Sequence, residues 1–128
     1  MTLAVLYDTS VLVDFLRGRG EARAEIEAES RTCGVSALVA AELYAGVRLG
    51  QEETALASLL SLFEPVPLDA DDARLGGEWR RVYGPSHGTG LVDALLAAQA
   101  ARLGAELVTL NGKHFPMPLA LRVPYRRA

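Results

Sequence analysis

The chain has 128 residues, a length that predicts a single domain over residues 1–128 with one hydrophobic core. Half of its residues are hydrophobic and 23% are charged, which argues against an intrinsically disordered protein. The formal net charge of -3 argues against a protein that holds nucleic acid by bulk positive charge, although it still permits a nucleic-acid enzyme whose acidic site binds metal.

Apolar runs, capping residues and glycines divide the chain into alternating strands and helices. The first strand is continuously apolar, as expected when both faces of a sheet are covered. Strands are predicted at 3–7, 32–35, 66–68, 106–110 and, as a weak edge strand, 121–123. Helices are predicted at 9–16, 21–29, 36–49, 51–63, 69–83 and 91–103, and a flexible loop at 84–90. This alternation predicts an α/β sandwich with a mainly parallel central sheet flanked by helices.

Composition also limits the compartment and the surface. Cys33 is the only cysteine, so an internal disulfide is not possible. The chain shows no secretory signal and no apolar run of the roughly 18 residues that a membrane span needs, so a cytoplasmic protein without membrane contact is expected. Arg80, Arg81 and the arginines within 122–127 are predicted to lie on a solvated surface.

Three carboxylates stand in otherwise apolar stretches. Asp8 directly follows the first predicted strand, Glu42 lies inside an apolar helix, and Asp93 heads an Ala/Leu-rich helix. Burying a carboxylate in such surroundings is costly unless its charge is compensated. Three of them indicate a shared compensator, and a divalent cation is the simplest one.

Each carboxylate also has a purely structural explanation. Asp8 could cap the helix that follows it, although Thr9 or Ser10 could do this instead and leave Asp8 free for a ligand. Glu42 could face solvent or pair with Arg48 on the surface. Asp93 could be a first-turn residue that the helix dipole stabilises.

The predicted position in the sheet favours a common site. Ligands of open parallel sheets bind beyond the carboxyl ends of the strands, where Asp8 is expected. Asn111 follows the strand 106–110, and its amide oxygen could complete an ion shell, although an Asn-Gly pair is also a frequent turn former. Gathered carboxylates raise one another's pKa, and all-oxygen ligation favours Mg²⁺ or Mn²⁺ over zinc. The predicted metal ligands are Asp8, Glu42, Asp93 and Asn111.

These residues fall in four short motifs that together resemble the PIN-domain family. The motifs are VLYDTSVL at 5–12, the segment 35–46 with its ELYAG ending, DALLAA at 93–98 and LVTLNGKHF at 107–115. Their order and spacing hold over nearly the whole chain. The size and the Glu-Leu-x-x-Gly stretch resemble the VapC-type toxins of toxin–antitoxin pairs.

The resemblance implies a PIN-like three-layer fold and an endoribonuclease that depends on Mg²⁺ or Mn²⁺. It also implies a homodimer and a cognate antitoxin protein that covers the active groove. By position, Asp8 and Asp93 would ligate metal directly, and Glu42 would either ligate metal or hold a metal-bound water. Three hydroxyl side chains are expected to hydrogen-bond to this acidic core: Thr9, Ser10 and Thr109.

Other residues have two open explanations. Lys113, Arg48 and His114 could contact the RNA backbone or simply lie on the surface. Trp79 and Tyr83, four residues apart on one helix, could stack on bases but are expected to pack on a core or a partner.

Two alternatives to a nuclease remain, one from the resemblance and one from the position of Asp8. PIN domains often have a fourth acidic residue in the last motif, where this chain has Asn111 and His114, so a catalytically weakened interaction module is one alternative. An aspartyl phosphotransferase is another, because Asp8 ends the first strand. Such enzymes typically have a second acidic residue two positions later, where this chain has Ser10.

Overall fold

The computed structural model describes residues 2–127, which form a five-stranded sheet and six α-helices. The strands are β1 Val5–Tyr7, β2 Cys33–Ser36, β3 Glu64–Val66, β4 Glu106–Val108 and β5 Leu121–Arg122. The helices are α1 Thr9–Leu16, α2 Gly20–Ala28, α3 Ala37–Gly46, α4 Gln51–Leu60, α5 Ala70–His87 and α6 Leu91–Leu103, followed by a 3-10 turn at Gly112–His114. The sheet order is β3-β2-β1-β4-β5, and every strand pair is parallel. The predicted α/β fold is confirmed.

The central strand β1 is covered on both faces. Val5, Leu6 and Tyr7 are all fully buried, and successive residues of a strand point to opposite faces. Helices therefore pack against the sheet from both sides, which is the three-layer arrangement. Among the residues 2–127, no helix is long and apolar enough to cross a membrane.

The direction of the chain reverses beside β1. From β1 the chain proceeds through β2 to β3 at one edge, and then returns to place β4 on the other side of β1. The crevice between the carboxyl ends of β1 and β4 is therefore the switch point at which open α/β sheets bind ligands.

Several predicted boundaries were wrong, including the helix predicted at 51–63, which ends at Leu60, and the strand predicted at 106–110, which ends at Val108. The loop predicted at 84–90 is helical as far as His87, because Gly88, with a φ of 66°, ends α5 by a left-handed turn. The strand predicted at 66–68 begins earlier and includes Pro65, which an edge strand tolerates. The helix predicted to reach residue 49 ends at Gly46.

The last residues of the chain are ion-paired. Arg122 bridges Glu25 of α2 and Glu106 of β4, and Arg127 forms a 2.8 Å ion pair with the buried Asp14 of α1. Arg127 is still exposed, as predicted, whereas Arg122 is only partly exposed, so the predicted solvated surface was wrong for Arg122. These ion pairs connect residues 121–127, which we call the tail, to α1, α2 and β4.

Candidate active site

Asp8 lies at the carboxyl end of β1 and is 6% exposed. It is itself the N-cap of α1, since its Oδ1 accepts the Thr9 backbone N–H at 2.7 Å. The prediction that Thr9 or Ser10 would cap this helix was wrong. The hydroxyls of Thr109 and Ser10 donate to the other oxygen, Oδ2, at 2.6 Å and 3.4 Å. Asp8 is therefore both a cap and the centre of a buried hydrogen-bond cluster.

The same cluster joins the start of α1 to the end of β4. The backbone N–H of Asp8 donates to the carbonyl of Val108 at 2.9 Å, and the Ser10 hydroxyl accepts the Leu110 N–H at 3.1 Å. Thr109 accepts the Asn111 N–H at 3.0 Å while donating to Asp8. The Asp8 carboxylate at the switch point is thus held by hydrogen bonds from the start of α1 and from Thr109, which follows β4.

Glu42 reaches this site from α3. Its Oε1 accepts the hydroxyl of Thr9 at 2.7 Å. Because Thr9 directly follows Asp8, this bond brings the Glu42 carboxylate to the same end of β1. Glu42 is exposed, and the expectation of a buried glutamate was wrong, because Val39 and Leu43 are the residues of α3 that face the core. The pairing partner of Arg48 is Glu52 and not Glu42.

Glu42 also lines a cavity of about 480 Å³ between α1, α3 and α4. Its walls are mainly apolar, and they include Val13, Leu43 and Val47. Arg17 and Glu52 supply the other charges in this lining. The carboxylate site therefore opens on one side into an apolar groove.

Asp93 completes the acidic group from the first turn of α6. Its side chain is 29% exposed, and it lies three residues after Gly90, the N-cap of this helix. Burial raises the pKa of Asp93, and the negative charges of Asp8 and Glu42 raise it further. The charges of Asp8 and Glu42 therefore act on Asp93, while a shared catalytic or metal-binding role for the three carboxylates stays a prediction.

The fourth motif contributes a histidine beside this group. His114 Nδ1 lies 3.5 Å from Asp93 Oδ2. Asn111 is exposed and begins the 3-10 turn, and its carbonyl accepts the His114 N–H at 3.0 Å. The neighbour of Asp93 in this motif is therefore His114, while a metal-binding role for Asn111 stays a prediction.

Thr89 is a residue of this site that the sequence did not indicate. It is 1% exposed, and its hydroxyl donates to the carbonyl of His114 at 2.7 Å. This bond holds the 3-10 turn against the start of α6. A threonine directly before a glycine N-cap was the only available signal, and it is a weak one.

The donor set fits a hard divalent cation in charge and chemistry. The charges of Asp8 and Glu42 raise the pKa of Asp93, so a cation near these carboxylates would relieve their repulsion. Within residues 2–127, no three His, Cys, Asp or Glu side chains are arranged to hold an ion together. Two of the oxygens of Asp8 and Glu42 already accept hydroxyl hydrogen bonds.

Comparison with known families decides the relationship. The family model of the PIN domain matches residues 5–116, a range that includes all four motifs. The chain belongs to the PIN-domain family. This assignment agrees with the all-parallel sheet and with the acidic residues at its switch point.

Close relatives of this PIN domain are known from Mycobacterium tuberculosis. Ribonuclease VapC19 is 42% identical, and the match covers 94% of this chain and 98% of the relative. Ribonuclease VapC10 is 36% identical, with 94% and 92% covered. The likeness therefore extends over nearly the full length of these ribonucleases.

Solved structures give the same relationship for the PIN fold. A toxin–antitoxin complex from Klebsiella pneumoniae contains a chain that is 27% identical, with a TM-score of 0.84 and coverage of 97% of this chain and 100% of that chain. VapBC2 from Rickettsia felis, bound to a DNA fragment from its promoter, matches with a TM-score of 0.79 and 27% identity over 94% of this chain and 98% of that chain.

Proposed function

We propose that this PIN-domain protein is a metal-dependent endoribonuclease and the toxin of a type II toxin–antitoxin pair. The observation that carries the proposal is the Asp8 carboxylate at the switch point of the sheet, with Glu42 bound to the adjacent Thr9 and with Asp93 close enough for the charges of both to raise its pKa. The identity of 42% with a ribonuclease over nearly the whole chain supports the same activity.

The three carboxylates would hold the metal, and Mg²⁺ or Mn²⁺ suits their oxygen ligands. When bound, a divalent ion supplies an activated water and neutralises charge on the phosphodiester. The residues of the chain prepare the site. Thr109 fixes the orientation of Asp8, and Thr9 fixes that of Glu42, through hydrogen bonds of 2.6 Å and 2.7 Å. Asn111 would be a further oxygen donor.

An Asp8→Asn variant tests the activity. Asparagine caps helices about as well as aspartate, so α1 should form normally while one negative charge of the site is lost. We expect RNA cleavage in Mg²⁺ or Mn²⁺ to fall below detection, with an unchanged circular dichroism spectrum. Asp71→Asn, which removes an exposed aspartate from α5, is the control and should cleave RNA like the wild type.

Metal binding can be measured separately by thermal melting. Mn²⁺ at about 100 times its Kd should stabilise the wild type by about 2.7 kcal/mol and should not stabilise Asp8→Ala or Asp93→Ala. A wild type that melts at the same temperature with and without Mn²⁺, and leaves RNA intact, would support the alternative of a PIN-like interaction module. Asn111 and His114, in place of a fourth carboxylate, are the observation that favours this alternative.

A cognate antitoxin is the proposed protein partner. The solved neighbours include toxin–antitoxin complexes, and the groove beside Glu42 is apolar enough to receive a protein segment. Co-expression with the product of the adjacent gene, followed by co-purification and recovery of RNA cleavage after its removal, tests this partnership. A homodimer and a cytoplasmic location remain predictions, and light scattering of the purified protein tests the former.

A further inference from the structure

Most cations of this protein are neutralised by its own carboxylates. Eight of the thirteen Lys and Arg residues have a carboxylate oxygen within 4 Å: Arg19, Arg23, Arg31, Arg48, Arg74, Arg102, Arg122 and Arg127. The other five have no such partner within residues 2–127: Arg17, Arg80, Arg81, Lys113 and Arg126. The chain has a net charge of -3, so a polyanion is expected to bind where these five unpaired cations lie.

Arg80 has a defined place on α5. Its guanidinium lies across Gly84, one helical turn later, where a Cβ atom would stand 2.0 Å from Nη1 and 2.9 Å from Cζ. The same point is 3.4 Å from the carbonyl oxygen of Thr89. The side chain therefore extends along the helix to the connection between α5 and α6, and the missing side chain of Gly84 makes room for it.

That connection also places Asp93. Thr89 precedes Gly90, the N-cap of the helix that bears Asp93, and the Thr89 hydroxyl donates to the carbonyl of His114 at 2.7 Å. His114 in turn lies 3.5 Å from Asp93. We call the residues Arg80, Gly84, Thr89, Lys113 and His114 the α5–α6 corner. Lys113, exposed and next to His114, is a second cation of this corner without a carboxylate partner among the described residues.

A polyanionic substrate needs such cations beside an acidic site. Three carboxylates repel an RNA strand, and the groove on the Glu42 side is largely apolar. A guanidinium offers paired donors that match a phosphate group, and an unpaired guanidinium has no internal ion pair to break first. The α5–α6 corner supplies this group on the Asp93 side.

We propose that Arg80, seated on Gly84, binds a phosphate of the RNA strand on the Asp93 side of the carboxylate site, with Lys113 as a second contact. The inference rests on the proposed nuclease function and identifies where its substrate lies. It assigns a binding role to an arginine that the sequence placed on an ordinary solvated surface. Gly84 is then a positioning residue, because it lets the guanidinium lie beside the start of α6.

RNA binding by three variants tests the proposal. The probe is a fluorescein-labelled single-stranded RNA of mixed sequence, titrated without divalent metal and followed by anisotropy at several salt concentrations. We expect Arg80→Gln to raise Kd about tenfold and to lower the slope of log K against log salt by about one. Gly84→Ala keeps the charge but displaces the guanidinium, so it should also raise Kd several-fold.

Arg74→Gln is the matched control. Arg74 is exposed on the same helix and pairs with Glu78 at 3.2 Å, so the variant loses the same charge at a position outside the corner. It should bind RNA within about twofold of the wild type. Equal effects of Arg74→Gln and Arg80→Gln would overturn the proposal, because bulk charge would then explain both. A wild type that does not bind the RNA would overturn it as well.

Cleavage separates this inference from the proposed function. If the wild type cleaves RNA in Mn²⁺ and Arg80→Gln retains its KM, only the phosphate site is refuted. If the wild type binds RNA and Arg80→Gln does not, while no variant cleaves, the phosphate site stands and the nuclease proposal fails. Loss of antitoxin binding by Arg80→Gln with unchanged RNA binding would assign the corner to the antitoxin and overturn the inference.

Discussion

Thr109 links Asp8 to the segment that follows β4 by two hydrogen bonds. It is fully buried, and its hydroxyl donates to Asp8 and accepts the Asn111 N–H. Thr109→Val keeps the shape but removes the shorter of the two hydroxyl hydrogen bonds to Asp8 Oδ2 and leaves the Asn111 N–H without its partner. We expect the free energy of unfolding to fall by about 1–3 kcal/mol, measured by urea denaturation, and RNA cleavage to fall with it.

Thr109→Ser is the control for this prediction, because it keeps the hydroxyl and loses only a methyl group. Its cleavage rate should stay near that of the wild type. If Thr109→Val and Thr109→Ser were equally active, the hydroxyl would have no part in holding Asp8.

Asp93 is expected to reduce the stability of the metal-free protein. Burial and the charges of Asp8 and Glu42 raise its pKa, so its ionised form is disfavoured in the folded state. Asp93→Asn should therefore raise the free energy of unfolding by about 1 kcal/mol without metal, as is common where function is maintained at a cost in stability. In Mn²⁺ the order should reverse, since only the wild type gains binding energy. Differential scanning calorimetry with and without Mn²⁺ measures both, and a variant less stable than the wild type in chelator would contradict the prediction.

The sequence identified the carboxylates but not all of their surroundings. Asp8 and Asp93 could be found because an acidic residue stood out at the start of an apolar or small-residue element. The exposure of Glu42 could not be predicted, since α3 is apolar on most of its circumference and the pattern does not say which side faces the core. The Thr89–His114 bond joins residues 25 positions apart, and no local pattern encodes such a contact.

At the scale of elements, the packing of α5 on α6 depends on one glycine. A Cβ at Gly76 would stand 2.9 Å from the backbone Cα of Leu95 and 2.6 Å from its Cδ2. Gly76→Ala should therefore lower the free energy of unfolding by about 1–3 kcal/mol, as overpacking does, although alanine favours helix. It should also disturb the start of α6, which bears Asp93.

Gly77 is the matched control, because a Cβ there would meet nothing within 4 Å. Gly77→Ala should raise stability by about 1 kcal/mol through helix propensity alone. Chemical denaturation of both variants measures the difference between them. If both variants were stabilised, the two helices would not be in the close contact described.

The existence and order of the elements followed from the sequence, whereas several ends did not. Turn-forming residues around Pro85 predicted a loop, but α5 continues to His87 because its last turn is closed by Gly88, whose N–H bonds to the carbonyl of Gly84. The start of β3 was missed because proline lacks a backbone N–H and usually interrupts strands. Pro65 is tolerated here because β3 lies at the edge of the sheet. Both errors concern tertiary context, which overrides local preference.

At the scale of the whole molecule, ion pairs connect parts that are distant in sequence. Arg122 of β5 pairs with carboxylates of α2 and β4. Arg31 pairs with Glu29 at 2.7 Å and with Glu106 at 3.1 Å. Arg127 and Tyr125 of the tail both bind Asp14 of α1, and the start of the same helix holds the Asp8 cluster. The tail thus stabilises the helix on which the carboxylate site is built, although it contributes no residue to that site.

These ion pairs predict how stability depends on pH. Hydrogen bonds from Arg31 outweigh burial and lower the pKa of Glu29 from an ordinary value of 4.5 to about 2. The pKa of Glu106 is lowered by Arg122, and that of Asp14 is lowered because hydrogen bonds from Arg127 and Tyr125 outweigh its burial. A carboxyl group whose pKa is lower in the folded state stabilises the fold fully above its unfolded pKa, and this contribution disappears as the pH falls toward the folded value.

The free energy of unfolding should therefore be nearly constant from neutral pH to about pH 5 and should fall steeply between about pH 4.5 and pH 2. Urea denaturation at intervals through this range measures it. Glu29→Gln cannot lose a charge on acidification, so it should be less stable than the wild type at pH 7 and should show a shallower fall below pH 4.5. Curves of equal slope for the two proteins would show that the pairing of Glu29 with Arg31 does not contribute to acid sensitivity, and the lowered pKa values of Glu106 and Asp14 would then have to account for it.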